Sequence, residues 1–467
     1  MIFRQVIHDD LGCASYFIGD DKAGIAAVVD PRFEIDAYLD LARYLGVRIT
    51  DIFETHNHAD HVSGHGRLAA ATGATIHIHS LVAPEFEHEP FEHGDVFALG
   101  SLQIAAVHTP GHRPEHTCFL LTDLHRGDDP WAVLTGDSLF VGDVARPDLA
   151  VERSEGARGI FHSLRDRLLS LPDHIEVWPG HLGGSMCGGP GMDLKVASTI
   201  GFERRHNAML AIDDEQEFID ASVAKLGAQP PNFKTIVALN HGPLLTDDVE
   251  LARLFPQELE QRAHDGALVV DVRTDMQFAE GHIPGSISIP LQRGGFGTKL
   301  AWVAGGAGQV IFVASTEADG RRAGSLAAAV GLARAVRGGG LLAGGWTAWN
   351  AEARPLVKLP RVTVEELGPY LDTMPASQVL DVRELAEYEA GHIPGSQNLP
   401  WHDIDDIPAG IDPEQRIVVI CASGQRAGTA ASLLQRFGAT DVVHVAGGGV
   451  PKWGALGGKL SEPVGVA

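Results

Sequence analysis

The chain has 467 residues, 44% of them hydrophobic and 21% charged, with a formal net charge of −25. At about 150 residues per domain, this length predicts roughly three globular domains, each able to bury a core. The acidic balance excludes nucleic acid or an anionic membrane as the main partner, but not small anions held at a local positive site.

The chain opens with MIFRQVIHDDLGC, which lacks the basic-then-apolar order of a secretion signal. No apolar run approaches the ~18 residues of a membrane-spanning helix. Cys13, Cys118, Cys187 and Cys421 lie far apart, so a reducing, cytoplasmic setting is expected rather than a disulfide scaffold. Short apolar runs such as Ile25 to Val29 and Thr75 to Ile78 read as strands, and Ile35 to Leu45 as a helix, within a first domain spanning 1–245. Cys13 and Cys118 sit inside strand-like runs and are expected to be packing residues.

Thr55 to His61 reads THNHADH at the end of the run ITDIF, placing three imidazoles and a carboxylate within six residues. His112 in TPGHRPEH, Asp137 in LTGDSLF and His181 in VWPGH each follow a short apolar run and lie in a Gly-containing turn. There a side chain can leave the strand end and point into a shared cleft. Neutral imidazole and carboxylate are ligands for zinc, iron or manganese. Arg146 and Asp148 in ARPDL form either a loop ion pair or a substrate contact. Cys187 in LGGSMCGG is either a buried thiol or a residue facing the substrate.

From about residue 246 an internal repeat takes over. DVRTDMQFAEGHIPGSISIP (Asp271 to Pro290) recurs as DVRELAEYEAGHIPGSQNLP (Asp381 to Pro400), an offset of 110 residues. Each copy continues into a second β-like run, a loop and an Ala-rich helical pattern, which predicts two compact parallel α/β domains, 246–357 and 358–467. Cys421 lies between the apolar run IVVI and a helical pattern, where backbone N–H groups and the helix dipole stabilise a thiolate or an outer persulfide sulfur. Arg426, five positions on, can add a fixed cation. The first copy has Ser315 or a neighbour at this place and no cysteine, so it is expected to be silent in sulfur transfer.

The histidine pattern resembles the metallo-β-lactamase superfamily, and within it the persulfide dioxygenases. The resemblance implies an αββα sandwich and one Fe(II) per chain on His56, His112 and Asp137, a 2-His-1-carboxylate face with open positions. It also implies that His58, Asp60, His61 and His181 orient those ligands or touch substrate. In the alternative, a glyoxalase-II-like thioester hydrolase, two zinc ions use these same groups. The repeat, with its Cys-x4-Arg loop, resembles the rhodanese sulfurtransferases. Together the resemblances imply a fusion that oxidises a low-molecular-weight thiol persulfide with O₂ to sulfite and thiol, coupled to thiosulfate formation or use at Cys421 in sulfide detoxification. The segment after His181 lacks the tyrosine common in glutathione-using members, which leaves the carrier thiol open. A homo-oligomer is the expected assembly.

Overall fold

The computed structural model describes residues 1–183, 187–189, 191–292 and 294–461. The chain divides into two compact units: Met1–Asp248 with Ala328–Gly331, and Val249–Ala327 with Leu332–Ala467. No helix among the described residues is long and apolar enough to cross a membrane.

The first unit holds two six-stranded mixed sheets. One takes β1 (Ile2–Ile7), β2 (Ala14–Asp20), β3 (Ile25–Val29), β4 (Arg48–Phe53), β5 (Thr75–His79) and β6 (Glu89–Phe91) in sequential order. The other takes β7 (Val96–Leu99), β8 (Leu102–His108), β9 (Thr117–Asp123), β10 (Ala132–Gly136), β11 (Glu176–Pro179) and β12 (Ser198–Thr199), again as sequential neighbours.

Strand periodicity explains the layers. Along β2, Tyr16 and Ile18 enter the core between the sheets with Phe119 and Leu134. Phe17, between them, faces the opposite way, into a core with Tyr38 and Ala42 of the helix Asp36–Leu45. The second sheet is covered by the helix Arg153–Ser163, whose Ile160 and Phe161 pack with Val133 and Val177. Because both faces of each sheet are buried, the central strands read as continuous apolar runs rather than as an alternation. This is the expected αββα sandwich.

The second unit contains two five-stranded parallel sheets. Strands β13 (Arg253–Leu254), β14 (Leu268–Asp271), β15 (Ile287–Ser288), β16 (Val310–Val313) and β17 (Gly340–Leu342) lie in the order β13-β17-β16-β14-β15. Strands β18 (Arg361–Thr363), β19 (Val379–Asp381), β20 (Gln397–Asn398), β21 (Ile417–Ile420) and β22 (Val442–Ala446) repeat it as β18-β22-β21-β19-β20. The duplicated DVR segment has the same local bonds in each copy. Arg273 donates to both Asp271 oxygens and to Gly281 O, and Arg383 does the same with Asp381 and Gly391 O.

The two repeats share one core, in which Leu268, Phe312 and Leu300 pack with Val419, Leu433 and Trp401. The edge strand β15 is covered by the helix Gln425–Arg436 of the second repeat. Thr429 Oγ1 donates to Ser288 O at 2.9 Å, and Ser288 N donates to Ser432 Oγ at 3.0 Å. Two hydroxyls therefore satisfy backbone groups that an exposed edge would leave open.

Candidate metal centre and thiol loop

The metal-site residues follow the carboxyl ends of β4, β8, β10 and β11. His56 Nε2, His112 Nε2 and an Asp137 carboxylate oxygen converge within 4.8 Å of one another, and all three residues are buried. His56 Nε2, His112 Nε2 and Asp137 Oδ2 have no hydrogen-bond partner among the described residues. Three buried, unpartnered ligand atoms aimed at one point would be costly in an empty core, and they fit a bound cation.

The opposite end of each ligand is fixed. His56 Nδ1 donates to Thr55 Oγ1 at 2.9 Å, and that hydroxyl donates to Asp30 Oδ2 at 2.8 Å. His112 Nδ1 donates to the Arg146 carbonyl at 2.9 Å. Burial holds both imidazoles below their ordinary pKa, so each keeps a lone pair on Nε2. Asp137 Oδ1 accepts from His181 Nδ1 at 2.7 Å, which leaves Oδ2 for a metal. Burial opposes ionisation of Asp137, but His181 brings its pKa down to about 2.

The remaining histidines are engaged elsewhere. His181 lies between two carboxylates, its Nε2 being 2.9 Å from Asp60 Oδ2. Burial disfavours the imidazolium, yet Asp137 and Asp60 raise its pKa to about 10. His61 Nδ1 lies 3.2 Å from both Asp60 oxygens. His58 turns towards a buried acidic pair, with Nε2 3.2 Å from Asp30 Oδ1 and from Glu54 Oε2. Among the described residues, His58 groups with Asp60 and His61 or with Asp30 and Glu54, not with His56 and His112.

Three contributors to this site do not emerge from the sequence. Asp30 and Thr55 orient His56. His116 is the third: its Nε2 accepts the Asp137 N–H at 2.9 Å, and its Nδ1 lies 2.9 Å from Thr109 Oγ1. Burial and the neighbouring His112 lower the His116 pKa to about 3, so it stays neutral and accepts that bond. Gly136 makes the fit possible. It has φ +47°, and a Cβ there would meet His116 Nε2 at 2.7 Å and Thr55 Oγ1 at 2.9 Å. Thr55 stands directly before the histidine run and His116 in PEH, but Asp30 carries no sequence signal. Replacing Thr55 by Val keeps the shape and removes the relay. The metal dissociation constant should rise about 10–100-fold, as measured by chelator competition.

Two thiols border the site. Cys13, expected from the sequence to serve packing alone, has its sulfur within 4.8 Å of Asp60 and His181 ligand atoms, and Cys187 lies equally near Asp137 and His181. Burial, reinforced by the carboxylates, pushes both thiols well up, so they are protonated at neutral pH. Arg146 Nε and Nη2 grip both oxygens of Asp148 at 2.7 and 2.9 Å, and Nη2 also donates to Gly227 O. Asp148 further accepts from Gln229. This pair braces the loop whose Arg146 carbonyl orients His112.

In the second unit, Cys421 follows β21 directly and is fully buried. Gly424 N donates to its Sγ at 3.0 Å, from the start of the helix Gln425–Arg436. Gly449 lets the chain close over the loop, since a Cβ there would lie 1.8 Å from the Cys421 carbonyl. Arg426 is not a free cation, because it is bound at both nitrogens by Glu387, at 2.6 and 2.8 Å. The register identifies the residue that replaces the cysteine in the first repeat. Asp381 pairs with Ile420 as Asp271 pairs with Val313, and Val450 N donates to Cys421 O as Trp346 N donates to Ala314 O. The equivalent residue is therefore Ala314, the neighbour of Ser315.

Comparison with known proteins agrees with this geometry. Residues 8–181 match the metallo-beta-lactamase superfamily, and residues 255–352 and 364–456 each match the rhodanese-like domain. A probable metallo-hydrolase of Burkholderia pseudomallei is 31% identical over 230 residues, covering 41% of this chain and 75% of that protein. The mitochondrial persulfide dioxygenase ETHE1 of Homo sapiens is 27% identical over 184 residues, covering 39% of this chain and 68% of that one. A metallo-beta-lactamase structure from Staphylococcus aureus superposes with a TM-score of 0.65 at 28% identity, covering 73% of this chain and 99% of its own. The chain belongs to the metallo-beta-lactamase superfamily and carries two rhodanese-like domains after its metal-binding domain.

Proposed function

We propose that the first domain, 1–245, is a mononuclear iron persulfide dioxygenase and that the third, 358–467, transfers sulfur through Cys421, with the silent repeat 246–357 between them. The observation that carries this reading is the convergence of His56 Nε2, His112 Nε2 and Asp137 Oδ2, all buried and unpartnered among the described residues. Two imidazoles and one carboxylate form the ligand set of non-haem Fe(II) oxygenases. The persulfide dioxygenase relative supports the same choice.

When bound, iron supplies open coordination positions and the electron transfer that O₂ chemistry requires. The balanced conversion takes one thiol persulfide, O₂ and water to one thiol and sulfurous acid, which ionises to sulfite. The protein's part is orientation. The Asp30–Thr55 relay fixes His56, the Arg146 carbonyl fixes His112, and His181 leaves one Asp137 oxygen for the metal. Sulfite and the Cys421 persulfide then combine to thiosulfate, or Cys421 supplies the persulfide in the opposite direction.

A dinuclear zinc thioester hydrolase is the second reading. It is favoured by the closeness of Asp60 to His61 and His181 and by the metallo-hydrolase relative. An oxygen electrode separates the two. Adding a thiol persulfide should consume O₂ with sulfite formed in equal amount, whereas thioester cleavage without O₂ uptake would replace this reading by the second.

A further inference from the structure

We propose that Glu387 sets which sulfur donors Cys421 accepts, by cancelling the Arg426 charge and so favouring monoanionic sulfane donors over dianionic thiosulfate. The inference deepens the reading of Cys421 as a sulfur-transfer residue and rests on it.

Among the described residues, Arg426, Arg383 and His402 each have carboxylate partners. Arg426, 23% exposed, is bound at two points by Glu387. Burial raises the Glu387 carboxyl, but the Arg426 hydrogen bonds more than offset this and hold it below the ordinary range. Arg383 is spent on Asp381 and Gly391 O. His402 lies 3.3 Å from Glu384 and 2.9 Å from Asp403, which adds two more carboxylates to that side. What remains for the incoming group is the Gly424 N–H and the start of a twelve-residue helix. Those partial charges suit one negative charge, on the thiolate or on a persulfide sulfur. Among the described residues, a second full negative charge meets Arg426, Arg383 and His402 already paired with carboxylates, and Lys452 paired with Glu365.

The duplication supplies an internal comparison. Gln277 occupies in the first repeat the helix position that Glu387 occupies in the second, and both cap the same turn. The carboxylate thus accompanies the thiol, and the repeat with Ala314 has an amide. Gln277 Oε1 accepts from Thr274 N just as Glu387 Oε2 accepts from Glu384 N. Glu387→Gln therefore keeps the cap, while it removes the charge and one of the two oxygens that accept from Arg426.

The step itself needs no outside oxidant. The Cys421 thiolate attacks the outer sulfur of the donor and forms a new S–S bond. The donor's own bond to that sulfur breaks, and its electron pair leaves on sulfite (from thiosulfate) or on methanesulfinate (from methanethiosulfonate). The two donors carry the same sulfane sulfur and differ by one charge.

The test measures the loading rate of Cys421 in the full chain, as the mass gain of one sulfur, with each donor in turn. In E387Q the ratio of thiosulfate to methanethiosulfonate rates should rise about tenfold, as expected for removing one nearby charge at a partly exposed site. E387D, which keeps the charge, should stay near the wild-type ratio. Added salt should raise the wild-type ratio towards that of E387Q. An unchanged ratio in a folded E387Q overturns the inference. A wild-type chain that neither donor loads overturns the sulfur-transfer reading itself, and this inference with it.

Discussion

Replacing His112 by Ala is expected to abolish iron binding and to lower persulfide-dependent O₂ uptake by on the order of a thousandfold or more. His56, His112 and Asp137 form one buried set of three converging ligand atoms, and two of them cannot hold a divalent ion against water and competing chelators. The loss should exceed that of Thr55→Val, which disturbs the orientation of a ligand that remains. The truncation also leaves the Arg146 carbonyl without its imidazole donor, which costs about 1–3 kcal/mol of stability. Metal analysis, O₂ uptake and a melting curve check all three parts. Retained iron in H112A would mean that His58 or His61 can serve in its place.

The second large effect is at the thiol. Cys421→Ser should lower sulfur transfer by about a thousandfold or more, because an alkoxide is hardly populated at neutral pH and a hydroxyl carries no sulfane sulfur. The change is nearly isosteric, and a serine oxygen can accept the Gly424 N–H that now reaches Sγ at 3.0 Å. The loop and its core neighbours should therefore stay in place. O₂ uptake by the first domain should be retained, because its ligands come from another part of the chain. Full sulfur-transfer activity in C421S would remove this residue from the mechanism.

Much of this architecture was legible because it is local in sequence. THNHADH and the duplicated DVR–GHIPGS segment each show their geometry within about twenty residues, since strand ends and tight turns position those side chains directly. Groupings made by the fold were harder to read. Asp30 lies 25 residues before Thr55, and Glu54 lies on the strand side of the histidine run, yet together they draw His58 away from the site. Cys13 reads as packing because it sits inside a strand-like run, and the pairing of that region with His181 brings its thiol to the metal site. The sequence places Ser315 or a neighbour opposite Cys421. The strand register fixes the equivalent residue as the neighbour, Ala314. That Arg426 is held by Glu387 is not legible locally, because Glu387 belongs to a helix 39 residues earlier.

The proposed centre holds one iron, bound by two histidines and one aspartate. Its most direct test is elemental analysis of the chain purified without added metal from cells supplied with both iron and zinc. About one iron per chain and little zinc are expected, with the iron lost in H112A and in an Asp137→Asn variant. Two zinc ions per chain, retained with thioester cleavage and no O₂ uptake, would contradict it.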